Sequence, residues 1–425
     1  MRSGTTRVAP RCSTFAEAFH PRKNAFGVLR LTFAILVIFS HCFSLGGFGL
    51  DTLQRISHGR SNLGEVSVAM FFVISGFLIS RSAVGPISVP RFLWHRFLRI
   101  FPAYWVCLVI CAILFAPLAG WIEHGMLLRV FAAPIDSPQA YVVGNAGMFH
   151  LNGESLLQIF NIHPQTIGGL LKSNPFPYVI NGSLWTLPYE VSCYLAVAAL
   201  AVLGILGRVK AVLIAIFIAL WSMSAFFLID QQAANDLFDV PGLELLVTLS
   251  LYFTAGAVCF LYRQNVPYST TAFIACLLLL GVTFPFDFFG LVAPVALTYV
   301  CLWLAFAFSS RWFDDLGDYS YGCYIYAFPV QQALSLLAVP TAGFISYFIV
   351  SLIVTLVLAF GSYHLVEAPC FRLKKMPAPL LLGRKRSQLT APNQNPASTA
   401  MGLPVGLATQ RRISGGEQRA IVVIV

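Results

Sequence analysis

Charge is scarce in this chain: only 10% of its 425 residues are Asp, Glu, Lys or Arg. An ordinary soluble domain carries roughly a quarter. With 58% hydrophobic residues and a mean hydropathy of +0.77, a water-soluble enzyme is excluded. Period-2 alternation of apolar residues is also missing, which argues against a transmembrane β-barrel. The ten cysteines are scattered (positions 12, 42, 107, 111, 193, 259, 276, 301, 323 and 370) and mostly fall in apolar runs. None forms a CxxC pair or a Cys/His cluster with metal-ligand spacing, so no metal site is expected and they read as small core hydrophobes. No cleavable signal peptide is evident in the polar, basic first 23 residues or in the apolar run that follows. Internal repeats, and the inverted halves common in transporters, are not visible.

What is present is a series of apolar runs near 20 residues, long enough to cross a bilayer as helices. They fall at about 26–46, 64–81, 100–119, 183–205, 209–228, 243–262, 269–286, 289–309, 319–339 and 342–363. The fold class expected is therefore all-α, a polytopic membrane protein with about ten transmembrane helices and both termini cytosolic. Alternating the spans from a cytosolic N-terminus leaves only Arg55, Arg60, Arg129 and Lys172 on the far side, out of 27 Lys and Arg residues. The net charge of +10 thus reads as a topology signal rather than as nucleic-acid binding. Three regions result: a cytosolic N-terminal segment (1–23), a transmembrane domain (24–375), and a Ser-, Gln-, Asn-, Pro- and Gly-rich tail (376–425) read as disordered. The long outer connection 120–182, with His124, His150, Glu154 and His163, is a candidate to cap a site or to contact an acceptor.

The most informative spacing lies in the first span. Arg30 and His41 are eleven residues apart, close to three helical turns, so they share a face roughly 16 Å apart along the axis. A cation and an imidazole inside an apolar run are costly and by default functional. The arrangement fits a site that holds an anionic group near one surface and does proton chemistry deeper in. Ser75-Gly76, in mid-helix, allows a backbone or a ligand to come close; simple helix packing is the alternative. Arg96 and Arg99 share a helix face and suit phosphate, although ordinary positive-inside anchors would look the same. In NGSLWTLPYEVSCYL, Asn181 or Ser183 caps a helix, Pro188 distorts it, and the intramembrane Glu190 needs a partner, with His41 or an arginine as candidates. Tyr319, Ser320, Tyr321 and Tyr324 line a sugar site or form an interfacial belt. Glu367 stands beside basic residues as a structural clamp.

In their order along the chain, the segments LRLTFAILVIFSH, FFVISGFLI, RFLRIFPAYW, NGSLWTLPYE, DYSYGCYIY and HLVEAPCF resemble the acyltransferase-3 family of integral membrane acyltransferases. The resemblance spans about Asn24 to Lys375. The family's Arg/Lys-x10-His signature falls on Arg30 and His41, and its Arg-x-x-Arg signature on Arg96 and Arg99. Gly27 and Ala69 stand where many relatives carry acidic residues. The resemblance implies a bacterial inner-membrane enzyme that moves an acyl group, most often acetyl, from acyl-CoA to a glycan or lipid-linked sugar. On that reading His41 and Glu190 are catalytic, Arg30, Arg96, Arg99 and Ser75 bind the donor, and Trp185, Tyr321 and Tyr324 meet the acceptor. The alternative class is a proton-coupled transporter or flippase for an anionic or glycan substrate, since intramembrane Arg, His and Glu mark those too.

Overall fold

The computed structural model describes residues 13–85, 88–125, 127, 129–132, 137–149, 166–206, 209–238, 240–308 and 317–375. The tail 376–425 and His150, Glu154 and His163 of the outer connection lie outside the described residues. The described part is helical. Its long helices are α1 (Phe26–Leu45), α2 (Leu63–Val84), α3 (Val89–His124), α4 (Leu187–Val202, entered through the 3-10 turn Gly182–Thr186) and α5 (Lys210–Ile229). They continue with α6 (Leu243–Leu261), α7 (Thr270–Thr283), α8 (Phe289–Ala307), α9 (Ser320–Leu336) and α10 (Phe344–Lys375).

Each of the ten apolar runs corresponds to one of these helices. Eight are long and apolar enough to cross a membrane by length and composition; α7 with 14 residues and α9 with 17 are the short ones. Two helices outrun their apolar segments. At 36 residues, α3 is about 54 Å long, against roughly 30 Å of hydrocarbon. The extra turns lie at its basic N-terminal end, which counting apolar residues does not register. The C-terminal extension of α10 lies alongside it: Trp94 Nε1 donates to the Leu373 carbonyl at 3.3 Å, and His95 Nε2 lies 3.2 Å from the Lys374 carbonyl.

Both long helices are re-phased by a π-turn just before a proline. The turn Cys111–Phe115 precedes Pro117, and Tyr363–Glu367 precedes Pro369. Proline has no N–H and clashes with the carbonyl four residues earlier, here Ile113 and Leu365, so one extra residue relieves each turn. Pro188 behaves differently. It occupies the first turn of α4, where its missing N–H costs nothing, so it starts the α-helix rather than distorting it. Asn181 caps the preceding 3-10 turn by accepting from Ser183 N, and its Nδ2 donates to the Ile325 carbonyl of α9 at 2.9 Å.

At the centre α2 and α6 cross backbone to backbone. A Cβ on Gly76 would lie 1.9 Å from the Phe253 carbonyl oxygen, and one on Gly256 would lie 2.1 Å from that of Val73. Lipid supplies no hydrophobic drive between helices, so small residues that let backbones meet supply the contact instead. Of the Ser75-Gly76 pair, then, Gly76 serves packing, and Ser75 faces elsewhere. The described end of the outer connection is tied down as well: Asn174 Nδ2 donates to the backbone carbonyl and the side-chain Oε1 of Gln332, and Gln332 Nε2 donates to the carbonyls of Phe176 and Val179.

Gly76→Val is expected to cost more than about 4 kcal/mol, because no rotamer relieves a Cβ placed against a carbonyl oxygen. Gly361→Ala, whose Cβ meets nothing within 4 Å, should be neutral or slightly stabilising. Thermal melting of the detergent-solubilised variants, read by size-exclusion fluorescence, checks both.

Candidate active site

Two cavities define the site, and α1 borders both. The first, about 110 Å³, is lined by Arg30, Ser75, Arg96, Arg99, Glu190 and Tyr194 among others. Its charges are organised by a carboxylate that sequence reasoning passed over, Asp318, just before α9. Asp318 Oδ2 lies 2.6 Å from Arg99 Nη2 and 3.2 Å from Arg30 Nη2. Burial pushes the Asp318 carboxyl up, but Arg30 and Arg99 outweigh it and hold it well below the usual carboxylate range. The pair is therefore present at neutral pH and lost only in strong acid. Asp318 lay within the GDYSYG segment, yet nothing local in the sequence marks which arginines it meets.

Glu367, buried in α10, lies 3.6 Å from Arg99 Nη1 on the other side. It does act as a clamp, tying α10 to α3. Arg96 is placed differently. Its guanidinium lies over the rings of Phe92 and Tyr194 at 5.9 and 6.0 Å, and its Nε is buried without a hydrogen-bond partner. Among the described residues no carboxylate lies within 4 Å of it, so Arg96 is the cation here with charge to offer a ligand.

Glu190 does not join His41. Its Oε1 accepts from Ser75 Oγ at 3.2 Å and from the hydroxyl of Tyr194 one turn further along α4. These two contacts hold the carboxylate in the arginine-lined cavity. The sequence suggested that Glu190 orients the imidazole; among the described residues no contact joins the two, and they line different cavities.

The second cavity, about 230 Å³, is lined by Ser40, His41, Asn62, Glu65, Trp185 and Tyr324 among others. His41 sits one turn from the C-terminal end of α1, and Arg30 one turn from its N-terminal end. The His41 ring meets the edge of Phe328 at 5.5 Å, and Phe328 in turn packs on Phe176 of the outer connection. Among the described residues the imidazole makes no hydrogen bond, and Nδ1 is buried without a partner. Asp51, outside the lining, braces two residues of it, Ser40 and Gln54: its carboxylate accepts from Ser40 Oγ at 2.6 Å and from the N–H groups of Gln54 and Leu63, pinning the α1–α2 connection to α1.

Tyr324 and Val68 line both cavities. The Tyr324 hydroxyl lies 2.7 Å from Thr186 Oγ1, at the partition between the cation cluster and the imidazole. Tyr321 presents its ring to the first cavity, but its hydroxyl donates to the Ile100 carbonyl at 2.9 Å and is already committed. Trp185 lines the His41 cavity. The structure therefore groups Arg30, Ser75, Arg96, Arg99, Glu190 and Tyr321 in one chamber, and His41 and Trp185 in the next, with Tyr324 between.

Asp318→Asn leaves Arg30 and Arg99 facing each other without their shared carboxylate. A loss of about 2–4 kcal/mol is expected, seen as a lower melting temperature of the solubilised protein. Asp318→Glu should recover part of it.

Comparison with known proteins places this geometry in a family. The chain is 30% identical over 352 residues to the O-acetyl transferase of Shigella phage Sf6, covering 81% of this chain and 95% of that protein. It is 26% identical over 370 residues to Nodulation protein 10 of Rhizobium leguminosarum bv. viciae, covering 83% and 94%. No solved structure matches. The acyltransferase-domain family model matches residues 23–364, a stretch that holds both chambers, the Arg30–His41 face and Asp318, and the chain accordingly belongs to the acyltransferase-3 family of membrane acyltransferases.

Proposed function

We propose that this protein transfers an acetyl group from acetyl-CoA to a hydroxyl of a glycan at a bacterial inner membrane. The observation that carries the reading is the division of labour along one face of α1. Guanidinium groups gather in one chamber, an unpartnered imidazole lines the next, and the two chambers share Tyr324 and Val68 as walls. Phosphate oxygens of the donor suit Arg96, whose charge is not neutralised by a neighbour, with Arg30 and Arg99 held in place by Asp318. The pantetheine arm is long and thin enough to carry a thioester past Tyr324 toward His41. The O-acetyl transferase of phage Sf6, similar over most of both chains, supports acetyl as the group and a hydroxyl as its acceptor.

In the transfer, an imidazole nitrogen takes the proton from the acceptor hydroxyl while that oxygen attacks the thioester carbonyl. The C–S bond then breaks, and the CoA sulfur leaves with the proton that His41 returns. The separation into two chambers also favours a two-step version. There His41 itself attacks the carbonyl, CoA departs, and the acyl-imidazole passes its acyl group to a hydroxyl arriving from the far surface. Glu190, bonded to Ser75 and Tyr194, acts on the donor side of either route by fixing the chamber wall opposite Arg96.

General-base catalysis contributes roughly 10²–10⁴ in rate, so His41→Ala should lose at least a hundredfold of acetyl transfer while the protein still inserts and melts normally. Label from [14C]acetyl-CoA retained on acid-quenched wild-type protein, and absent from His41→Ala, would single out the two-step route. Arg96→Ala should raise the KM for acetyl-CoA by roughly 10–100-fold, the worth of a charge-assisted hydrogen bond. Equal KM values in both proteins would return Arg96 to a topology anchor.

A further inference from the structure

The arginine chamber adjoins a further cavity at the N-terminal end of α1, about 290 Å³ in volume. Pro21 and Asn24 line it ahead of α1, Arg30 within α1, Arg81 near the end of α2, and Asp318 before α9, among others. Arg30 and Leu78 line the arginine chamber too, so the two spaces meet at these side chains. One wall is the segment leading into α1, and that segment is anchored along its length. Phe15 is fully buried, and the N–H groups of Phe15 and Ala16 donate to the carbonyls of Val266 and Arg263 between α6 and α7, both at 2.9 Å. Ala25 N donates to the Ala305 carbonyl of α8 at 2.8 Å. Asn24 closes the turn in between: its Nδ2 donates to the carbonyls of His20 and Pro21, and its Oδ1 accepts from Phe26 N.

The charge of this cavity is unbalanced. Arg30 and Arg81 face a single carboxylate, Asp318, which Arg30 already shares with Arg99. Among the described residues no carboxylate lies within 4 Å of Arg81. Its guanidinium rests over the Phe19 ring, 5.2 Å from the centroid, and Phe19 packs on Phe77 of α2 at 5.2 Å. An aromatic face positions a guanidinium without neutralising it. Phosphate suits such a group. Coenzyme A carries phosphate in two places: the pyrophosphate that leads to pantetheine, and a separate group on the ribose. The arginine chamber holds about 110 Å³, short of the roughly 300 Å³ at which sites for drug-sized ligands begin. A nucleotide therefore does not fit there beside the pantetheine arm.

We propose that the phosphorylated ribose of the donor occupies the cavity beside Arg81, and that Arg81 selects donors bearing the ribose phosphate. This rests on the acetyl-CoA reading above and adds a specificity residue to it. The pyrophosphate then passes Arg30 to reach Arg96, and the pantetheine runs on toward Tyr324. Arg81 acts far from the thioester, so it sets donor affinity and leaves the reacting groups alone.

The test measures equilibrium binding of radiolabelled acetyl-CoA and acetyl-dephospho-CoA, which lacks only the ribose phosphate, to the full-length protein without acceptor. The protein is held in phosphatidylcholine nanodiscs, and in a second set that contains phosphatidylglycerol. Wild type should bind acetyl-CoA at least about tenfold more tightly than the dephospho analogue, the worth of a charge-assisted hydrogen bond. Arg81→Ala should weaken acetyl-CoA to the dephospho level and leave the analogue's Kd as in wild type, because the two deletions remove one shared interaction. Arg81→Lys should recover part of the preference. Arg96→Ala should weaken both donors by the same factor. Equal Kd values for the two donors in wild type overturn the inference and leave the acyltransferase reading standing. An Arg81→Ala protein that loses affinity for both donors alike makes Arg81 a structural anchor and overturns it too. If phosphatidylglycerol erases the preference, a lipid headgroup holds the cavity and the inference falls. Wild type that binds neither donor sinks the acetyl-CoA reading itself, and this inference with it.

Discussion

Asp318 lies between two guanidinium groups, and much of the molecule is arranged around that contact. Arg30 comes from α1, Arg99 from α3, the carboxylate from the start of α9, and Glu367 of α10 closes on Arg99 from behind. Charges held in an apolar bundle are tolerable only when paired, and here the pairing itself joins four helices. It also decides which cation remains available. With Arg30 and Arg99 sharing a carboxylate and Arg96 resting on aromatic faces, the positive charge that faces the chamber is Arg96's.

The helices reach these positions by means that cost little in lipid. Gly76 and Gly256 let α2 and α6 meet at backbone distance, and Ser75, beside Gly76, bonds to Glu190 of α4. The π-turns before Pro117 and Pro369 shift the phase of the two longest helices. That of α10 includes Glu367 itself, so the extra residue helps bring this carboxylate to Arg99. Beyond the His41 chamber, the tie between Gln332 and Asn174 holds the described end of the outer connection against α9, and Phe176 supports Phe328 against the imidazole.

The consequence for chemistry is separation with contact. The cation chamber and the imidazole chamber are distinct spaces lined by opposite halves of α1, yet Tyr324 belongs to both. Under the proposed function, donor and acceptor would therefore approach one another from different sides. Neither has to displace the other. The stretch that matches the acyltransferase family, residues 23–364, holds both chambers.

The helical membrane class was legible from composition alone, because a bilayer demands long apolar runs and tolerates little charge. So was the Arg30–His41 face, since helical periodicity places residues eleven apart on one side whatever they pack against. The Arg96–Arg99 pair was readable for the same local reason. Two things were not: the partner of Glu190 and the existence of Asp318 as a hub. Glu190 and Ser75 are 115 residues apart, and Asp318 and Arg99 are 219 apart. Periodicity within one helix fixes which way a side chain faces, but which neighbour stands there follows only when the helices pack. Pairing charges and leaving voids are properties of that packing, so they were decided in three dimensions alone.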